Sequence, residues 1–375
     1  MRFREMAATV RVLARNDLAR YGKSGKSEAG KFEQELCSTI GVEHALAVNS
    51  GTSALIGALV GAGIGPGDEV LVPAYTWVAT AAAPLAVGAV PVLVEIDESL
   101  TMDPADLVRK ITPHTKAVIP VHMLNLVCDM DAIMKVAADH GLVVIEDACQ
   151  AIGVRHRGHR VGSIGHVGAF SFNHHKNISS GEGGAVLTND RRIHARAAMH
   201  HDVGSYERPG WIETESLFPG VNHRMPELCA AVLRPQLARI DAQLDRRRER
   251  RRMVLDRVTS AWKQARPAPH HDEADAVGLA VTFDDPAQAK AFGAKRGARR
   301  LIDTGRHVYA NWQSVLAKRA HHPALDPHRW AHRAIDYSPD SCPATLEILA
   351  RTCAVELAPE LPTPAFRLLT AGLGR

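Results

Sequence analysis

The sequence predicts an α/β protein with a mainly parallel sheet covered by helices on both faces, followed by a smaller second domain. Two observations lead to this fold class. Short apolar runs recur between residues 69 and 172, and segments with apolar residues three and four positions apart separate them. Such runs are typical of strands buried on both faces, and their alternation with helices is typical of βαβ units. Because ligands of these sheets bind at the carboxyl ends of the strands, functional residues are expected there.

The elements of the central part follow from this pattern in chain order. The predicted strands are Glu69 to Pro73, Val90 to Val94, Ala117 to Val121, Leu142 to Ile145 and Gly168 to Phe172. The predicted helices between them are Thr76 to Val87, Pro104 to Ile111 and Met130 to His140. An earlier helix is predicted to open within the small, polar segment Asn49 to Leu55 and to end near Gly61.

The chain changes character after Arg224, which predicts the second domain. Pro226 to Arg257 has the pattern of one long helix, and residues 246–252 of it are almost all arginine. We interpret this basic run as a solvated helix face, with a nucleic-acid patch as the alternative. Residues 264–275 are predicted to form a linker or exposed loop. We place the large domain in residues 1–240 and the connecting helix with the smaller domain in residues 241–375.

Composition narrows the functional classes. The chain has 375 residues, a formal net charge of +4 and 5% aromatic residues, which favours small-molecule chemistry over nucleic-acid binding. Its six cysteines include no CxxC pair, as expected for free thiols in a reducing compartment. The histidine pairs at 270–271 and 321–322 are interpreted as exposed loop residues, so no metal site is predicted. Charged residues are spread along the first 20 positions, which therefore lack the uninterrupted apolar core of a signal peptide. No apolar run is long enough to span a membrane, so the expected location is cytoplasmic.

One lysine stands out as a candidate nucleophile. Lys176 lies between the strand-like run Phe170 to Phe172 and the glycine-rich turn Gly181 to Gly184. A lysine amine forms Schiff bases with carbonyl cofactors when its surroundings lower its pKa. The alternative is an ordinary surface lysine before a turn. Ser171, five residues earlier, is a candidate phosphate ligand.

Two further segments suggest what this lysine binds. The helix that opens in Asn49 to Leu55 would offer free N–H groups to an anion, although ordinary capping by Ser50 or Thr52 explains the same residues. The strand before Asp147 ends in two acids, and a half-buried carboxylate there could hold a protonated pyridine nitrogen. Helix capping is the alternative for Asp147. Together, a phosphate cradle, a carboxylate and a lysine are what pyridoxal 5′-phosphate (PLP) requires.

With these motifs in place, the chain resembles the DegT/DnrJ/EryC1/StrS family of fold-type I, PLP-dependent sugar aminotransferases. The segments that carry the resemblance are Asn49 to Leu55, Pro73 to Thr80, Glu146 to Ala151, Phe170 to Phe172 with Lys176 and Gly181 to Gly184, and Gly220 to Met225. The resemblance implies a seven-stranded, mainly parallel sheet flanked by helices in the large domain, and a smaller C-terminal α+β domain.

The resemblance also implies roles for the residues around the cofactor ring. Lys176 would form the Schiff base and, once displaced, carry the proton between substrate and cofactor. Asp147 would pair with the ring nitrogen and so keep the ring an electron sink. Gln150 would hydrogen-bond the ring hydroxyl. Trp77 would stack on the ring face, with core packing as its alternative.

Further implied contacts involve the phosphate, the partner subunit and the substrate. Gly51 and Thr52 would hold the phosphate together with Ser171. Asn222 resembles the family residue that reaches the phosphate of the neighbouring subunit's cofactor, which implies a homodimer with shared active sites. Arg224 would support that loop or meet the substrate, and a structural ion pair is its alternative.

The segments that depart from the family pattern lie beside the site. Residues 122–127 replace the usual Tyr-Gly-x-Pro turn, and His174 and His175 directly precede the lysine. His175 is a candidate substrate contact or acid/base, with an uninvolved histidine at the rim as the alternative. His307 and Tyr309 of the smaller domain are further candidate substrate contacts.

The resemblance implies transfer of an amino group from glutamate or glutamine, in two half-reactions, to a keto-sugar or keto-cyclitol in amino-sugar or antibiotic biosynthesis. A PLP-dependent dehydratase or oxidase, similar to 3-amino-5-hydroxybenzoate synthase, is the alternative. The retained Lys176 argues against those dehydratases in which histidine replaces it. A non-catalytic, PLP-binding regulator is the third hypothesis.

Overall fold

The computed structural model describes residues 3–22, 27–205, 212 and 216–374. The strands of the first half are β1 His44–Val48, β2 Glu69–Pro73, β3 Val90–Val94, β4 Thr115–Val118, β5 Val143–Asp147, β6 Arg155–His156, β7 His159–Arg160, β8 Val167–Ser171 and β9 Gly184–Thr188. Those of the second half are β10 Arg266–Pro267, β11 Ala280–Thr282, β12 Ala298–Arg300 and β13 Thr352–Val355. The helices are α1 Phe3–Arg15, α2 Glu28–Ile40, α3 Gly51–Gly61, α4 Ala79–Ala86, α5 Pro104–Lys110, α6 Met130–His140, α7 Arg191–His201, α8 Glu227–Leu237, α9 Ile240–Ala261, α10 Pro286–Gly293, α11 Gln313–Leu316, α12 Pro343–Ala350 and α13 Thr363–Thr370.

The large sheet has seven strands in the order β1-β9-β8-β5-β4-β2-β3. Strand β9 runs antiparallel to β1 and β8, whereas β8, β5, β4, β2 and β3 are parallel to one another. Strands β2, β3, β8 and β9 are buried along their whole length, as expected for a sheet covered on both faces. The predicted fold class is therefore confirmed, and the parallel strands end at one edge of the sheet.

A second, antiparallel sheet lies in the C-terminal part, with the strand order β10-β11-β13-β12. Its core includes an aromatic cluster: Phe283 and Phe292 lie 5.4 Å apart between ring centroids, and both contact Trp262 edge-on. This arrangement gives the expected smaller α+β unit. The predicted division at residue 240 falls at the start of α9, and it stays a prediction.

Two predicted helices differ from the structure. The predicted helix from Pro226 to Arg257 is wrong, because the chain forms α8 and α9 with a break at residues 238–239. Pro235 removes a backbone donor from the last turn of α8, and the Arg239 side chain donates to the Pro235 carbonyl at 2.7 Å. Helix α4 begins three residues later than predicted, since the N–H groups of Thr76 and Val78 donate to the second half of the chain instead.

The interpretation of the basic run as a solvated face is wrong for two of its arginines. Arg250 is buried, donates to the carbonyls of residues 357, 358 and 361, and lies 4.4 Å from the ring centroid of Phe366. Arg251 is buried as well, with Nε 2.9 Å from the Gly278 carbonyl and an ion pair to Glu273 at 2.8 Å. These two arginines thus connect α9 to the smaller unit through hydrogen bonds and an ion pair.

The surroundings of the cysteines and of the paired histidines are relevant to the prediction of free thiols and of no metal site. All six cysteines are free thiols. His321 and His322 are exposed as predicted, but His270 and His271 are half-buried, and Nδ1 of His271 lies 4.0 Å from a carboxylate oxygen of Asp129. No cluster of potential metal ligands occurs within the described ranges. Among the same residues, no helix combines the length and the apolarity that crossing a bilayer requires.

Candidate active site

Lys176 lies in the turn that follows β8, at the carboxyl edge of the large sheet. The turn is closed by the Lys176 N–H, which donates to the Asn173 carbonyl at 3.0 Å. The side chain is half-buried, and its Nζ makes no hydrogen bond or ion pair with any residue that the structure describes. Its charge acts on three neighbours: it adds to the burial that lowers the pKa of His307 and of His175, and it opposes the rise that burial causes in the pKa of Cys149. An unpaired amine therefore stands among buried groups, as a Schiff-base lysine requires.

Asp147 ends the neighbouring strand β5 and is buried. Its Oδ2 accepts a hydrogen bond of 2.7 Å from Thr80 Oγ1, and its Oδ1 accepts one of 3.2 Å from the Cys149 N–H. Burial is the main cause that raises the pKa of the Cys149 thiol well above its usual value, and the Asp147 carboxylate adds to it. No cation in the described part of the chain pairs with Asp147. A carboxylate held in this way is ready to receive a positively charged ring nitrogen.

The start of α3 forms a cradle for an anion beside the end of β8. Ser50 caps the helix, since its Oγ accepts from the Ser53 N–H at 3.0 Å and its carbonyl accepts from the Ala54 N–H. The N–H groups of Gly51 and Thr52 have no acceptor among the described residues. Two backbone donors at a helix N-terminus thus remain for a phosphate.

The glycine at this position is required by close packing. A Cβ on Gly51 would lie 2.7 Å from Cβ of Ser171 and 3.0 Å from Sγ of Cys149. The helix start is therefore pressed against the end of β8, with the hydroxyl of Ser171 beside it. The three predicted phosphate ligands, Gly51, Thr52 and Ser171, converge on one place.

Gln150 is held by the segment that departs from the family pattern. Its Oε1 accepts from the Leu124 N–H at 3.1 Å, and its Nε2 lies 3.3 Å from the Met123 sulfur. Leu124 and Asn125 have positive φ angles of 55° and 63°. This tight turn brings the Leu124 N–H to the Gln150 side chain. The hydrogen bond from Gln150 to the ring hydroxyl stays a prediction.

Trp77 lies at the opening of the site and is 36% exposed, which argues against core packing. Its ring centroid is 5.1 Å from that of His307, and the Arg306 guanidinium carbon lies 4.5 Å above it. The backbone holds these groups together, because the Thr76 N–H donates to the His307 carbonyl at 3.0 Å and the Val78 N–H to the Arg306 carbonyl at 3.1 Å. The predicted substrate contact His307 is thus beside the predicted stacking residue.

The loop with Asn222 and Arg224 lies beside the end of β1. The Asn49 N–H donates to the His223 carbonyl at 2.8 Å, which places this loop next to the start of α3. Asn222 is exposed, as a residue that reaches a second subunit must be. Arg224 forms an ion pair with the buried Asp202. The structure thus favours the structural ion pair over a substrate contact for Arg224.

Of the remaining candidate substrate contacts, His175 is exposed and Tyr309 is buried. His175 is exposed, and its ring lies 3.7 Å from that of His174. Tyr309 is fully buried in the core, where its hydroxyl donates to the Pro339 carbonyl at 2.6 Å. Burial raises the pKa of Tyr309 to about 12. The prediction that Tyr309 contacts the substrate is therefore corrected, because its hydroxyl is already hydrogen-bonded inside the protein.

Two buried groups outside the predicted set hold the site in place. Thr80 supports Asp147, and its Oγ1 lies 2.8 Å from that of Thr76. The spacing of four residues between these threonines was the available signal. Asn177, next to the lysine, donates to Oδ1 of Asn125 at 2.7 Å and to the Ile152 carbonyl at 3.1 Å. Nothing in the sequence indicated this second pair.

Curated proteins match part of the chain. The chain is 44% identical to GDP-perosamine synthase of Caulobacter vibrioides over 218 residues, which are 57% of each protein. It is 44% identical to L-glutamine:2-deoxy-scyllo-inosose aminotransferase of Streptoalloteichus tenebrarius over 227 residues, which are 58% of this chain and 53% of the relative. The chain thus spans little more than half the length of these curated relatives.

The fold has close solved counterparts. The crystal structure of 3-amino-5-hydroxybenzoic acid synthase superposes with a TM-score of 0.81 and 30% identity, covering 100% of this chain and 96% of that one. The family match extends over residues 4–365, so it includes every residue of the candidate site. The chain belongs to the DegT/DnrJ/EryC1/StrS aminotransferase family.

Proposed function

We propose that the protein is a PLP-dependent aminotransferase that moves an amino group from glutamate or glutamine to a keto-sugar or keto-cyclitol. The observation that carries the proposal is the unpaired amine of Lys176 at the sheet edge where the buried carboxylate of Asp147 and the free N–H groups of Gly51 and Thr52 also lie. Each of these groups lacks the partner that PLP would supply. The residues present therefore fit the cofactor.

Each residue has a distinct task in this proposal. Gly51, Thr52 and Ser171 hold the phosphate, and Asp147 holds the ring nitrogen in its protonated form. PLP, when bound, supplies the electron sink that lets a C–H bond next to nitrogen be broken. Lys176 Nζ binds the cofactor between turnovers and holds the proton that moves during the reaction. These tasks need an amine without a competing carboxylate, which is what the structure shows for Lys176.

The surrounding groups keep this arrangement fixed. Thr80 orients the Asp147 carboxylate through the 2.7 Å hydrogen bond, so that the carboxylate does not have to reorganise when the ring binds. Trp77 would cover the ring face and exclude water from it. Asn177 anchors the turn that carries the lysine.

We also propose that the active protein is a homodimer. Asn222 is exposed while the loop that carries it lies against the start of α3, so a second subunit can meet both at once. Asn222 would then reach the phosphate held by the partner, and each site would be incomplete in the monomer.

The test is the donor half-reaction of the PLP-loaded protein. Glutamate or glutamine should bleach the visible absorbance of the cofactor and yield pyridoxamine phosphate, and Lys176→Ala should abolish the reaction. If neither donor converts the cofactor, while a keto-sugar is dehydrated, transamination is wrong. Dehydration is the second candidate because the fold matches 3-amino-5-hydroxybenzoic acid synthase along its whole length.

A further inference from the structure

Two buried titratable residues lie beside Asp147 and have no task in the proposed reaction. Glu146 and His122 are both completely buried, and Nε2 of His122 lies 3.0 Å from Oε2 of Glu146. Neighbouring residues of a strand point to opposite faces of the sheet, so Glu146 points away from the side on which Asp147 meets Thr80. A buried carboxylate costs free energy unless donors surround it, so this pair depends on the groups that hold it.

Glu146 is held by backbone groups of the loop that leads into β8. Its Oε1 accepts from the N–H groups of Ile164 and Gly165 at 2.6 and 2.7 Å, and its Oε2 accepts from the Gly162 N–H at 2.8 Å. Together with His122, the carboxylate therefore has four donors among the described residues. The carboxylate is thus a rigid point in the interior, and the imidazole is attached to it.

The other ring nitrogen of His122 closes the turn that departs from the family pattern. The Cys128 N–H donates to Nδ1 at 3.2 Å, so Nδ1 carries no hydrogen and Nε2 donates to Glu146. The backbone N–H of His122 donates to the Asp147 carbonyl at 3.1 Å. One residue therefore joins both ends of the segment 122–128 to the end of β5. We call this segment the histidine turn.

The inner part of the histidine turn contacts two groups of the candidate site. The Leu124 N–H donates to Oε1 of Gln150 at 3.1 Å, and Oδ1 of Asn125 accepts from Asn177, the residue after the lysine, at 2.7 Å. Leu124 and Asn125 have φ angles of 55° and 63°, a conformation that costs free energy for residues other than glycine. The turn keeps this conformation because the imidazole holds its ends.

We propose that His122 is a positioning residue for the proposed reaction: it closes the histidine turn and thereby holds Gln150 and Asn177 in place, with Glu146 as its buried anchor. The inference rests on the proposed function, because the groups that the turn positions would act on the cofactor. His122 is completely buried, so it acts through the turn and not on the reacting atoms. The two acids at the end of β5 then have separate tasks, since Asp147 belongs to the site and Glu146 supports the imidazole.

Two substitutions separate the tasks of the two ring nitrogens. In His122→Asn, the side-chain oxygen takes the place of Nδ1 and accepts from the Cys128 N–H, but the donor to Glu146 is lost. In His122→Gln, the side-chain N–H takes the place of Nε2 and donates to Glu146, but the acceptor for Cys128 is lost. Both variants replace the ring by a smaller amide, so each is the matched control for the other. The proposal requires that asparagine preserves the site and that glutamine does not.

The first measurement is amide hydrogen exchange of Leu124 in the cofactor-free protein. This N–H donates to Gln150 and not to residue 122, so its exchange rate reports on the turn itself. Exchange should be about tenfold faster or more in His122→Gln, the scale of one lost hydrogen bond, and within about twofold of wild type in His122→Asn. Urea denaturation should show the opposite order, because asparagine leaves the buried carboxylate one donor short. Exchange that is equal in the two variants, or that follows their stability, would overturn the proposal.

The second measurement is the donor half-reaction of the PLP-loaded variants. His122→Gln should lower the rate constant at saturating glutamate or glutamine about tenfold or more and change the Michaelis constant less than about twofold, because the turn positions reacting groups and not the donor. His122→Asn should stay within about threefold of wild type. A wild-type rate constant in His122→Gln would overturn the proposal. If neither donor reacts with wild type, the proposed function fails, whereas the exchange of Leu124 still decides whether His122 holds the turn.

Asn125→Gly tests the link from the turn to the lysine without altering the buried pair, and so applies even where the His122 variants do not fold. Glycine adopts a φ angle of 63° without cost, so the substitution removes only the side chain that accepts from Asn177. The rate constant of the donor half-reaction should fall about fivefold or more. A wild-type rate constant in this variant would show that the turn does not position the lysine and would contradict the proposal.

Discussion

Replacing Thr80 by valine removes one hydroxyl at almost constant volume, and the consequence can be worked out from the structure. Thr80 and Asp147 are both buried, and the Thr80 hydroxyl is the one hydrogen-bond donor to Asp147 Oδ2 in the described part of the chain. A buried hydrogen bond to a charged group contributes about 1.5–3 kcal/mol. We therefore expect Thr80→Val to lower the free energy of unfolding of the cofactor-free protein by about 2 kcal/mol.

Urea denaturation of the cofactor-free protein is the suitable assay, since bound cofactor would add its own stabilisation. Thr80→Ser is the matched control, because serine retains the hydroxyl that donates to Asp147. Its loss should be confined to the missing methyl group, about 1 kcal/mol. If the valine variant is as stable as the serine variant, the Thr80 hydroxyl does not support the carboxylate and the reasoning about this pair is refuted.

Three further predictions follow from other parts of the structure. Gly51→Ala should weaken PLP binding at least tenfold, measured by titration of the visible absorbance, because the added methyl group meets the end of β8 at 2.7 Å; Gly372→Ala, with open space around it, should bind as wild type does. Arg250→Met should lower the free energy of unfolding by about 2–4 kcal/mol, because three carbonyls lose their donor, whereas the exposed Arg252→Met should change it by less than about 0.5 kcal/mol. Burial lowers the pKa of His201 from 6.5 to about 4. The fold therefore favours the neutral imidazole, and this contribution to the free energy of unfolding is fully present above pH 6.5. Up to about 3 kcal/mol of it is lost as the pH falls toward 4. Urea midpoints at several pH values should show this loss, and His201→Gln should reduce it.

The apolar runs were sufficient to predict the centre of the fold. Strands β2 and β3 begin and end where the sequence pattern predicts, because every residue in them is apolar or buried and turns bound them on both sides. The buried state of Arg250 could not be predicted in this way. Its partners are carbonyls more than a hundred residues further along the chain, and sequence periodicity carries no information about them.

The site was predictable to the extent that strand ends determine it. Asp147 ends β5 and Lys176 lies in the turn after β8, the next strand of the sheet, so the topology brings both to the same edge. The direction of a side chain is not set by topology, and Tyr309 illustrates this, since its ring turns into the core while His307, two residues earlier, faces the opening. The hydrogen bond from Thr80 to Asp147 could not be predicted, because the two residues lie 67 positions apart in the sequence.

The most direct test of the account is to reduce the PLP-loaded protein with borohydride and to map the labelled peptide by mass spectrometry. Reduction fixes the cofactor to whichever amine carries it. The account predicts a single labelled site at Lys176 in wild type and no stoichiometric label in Lys176→Ala. A stoichiometric label on another lysine, or equal labelling of the alanine variant, would contradict the claim that this unpaired amine is the cofactor's partner.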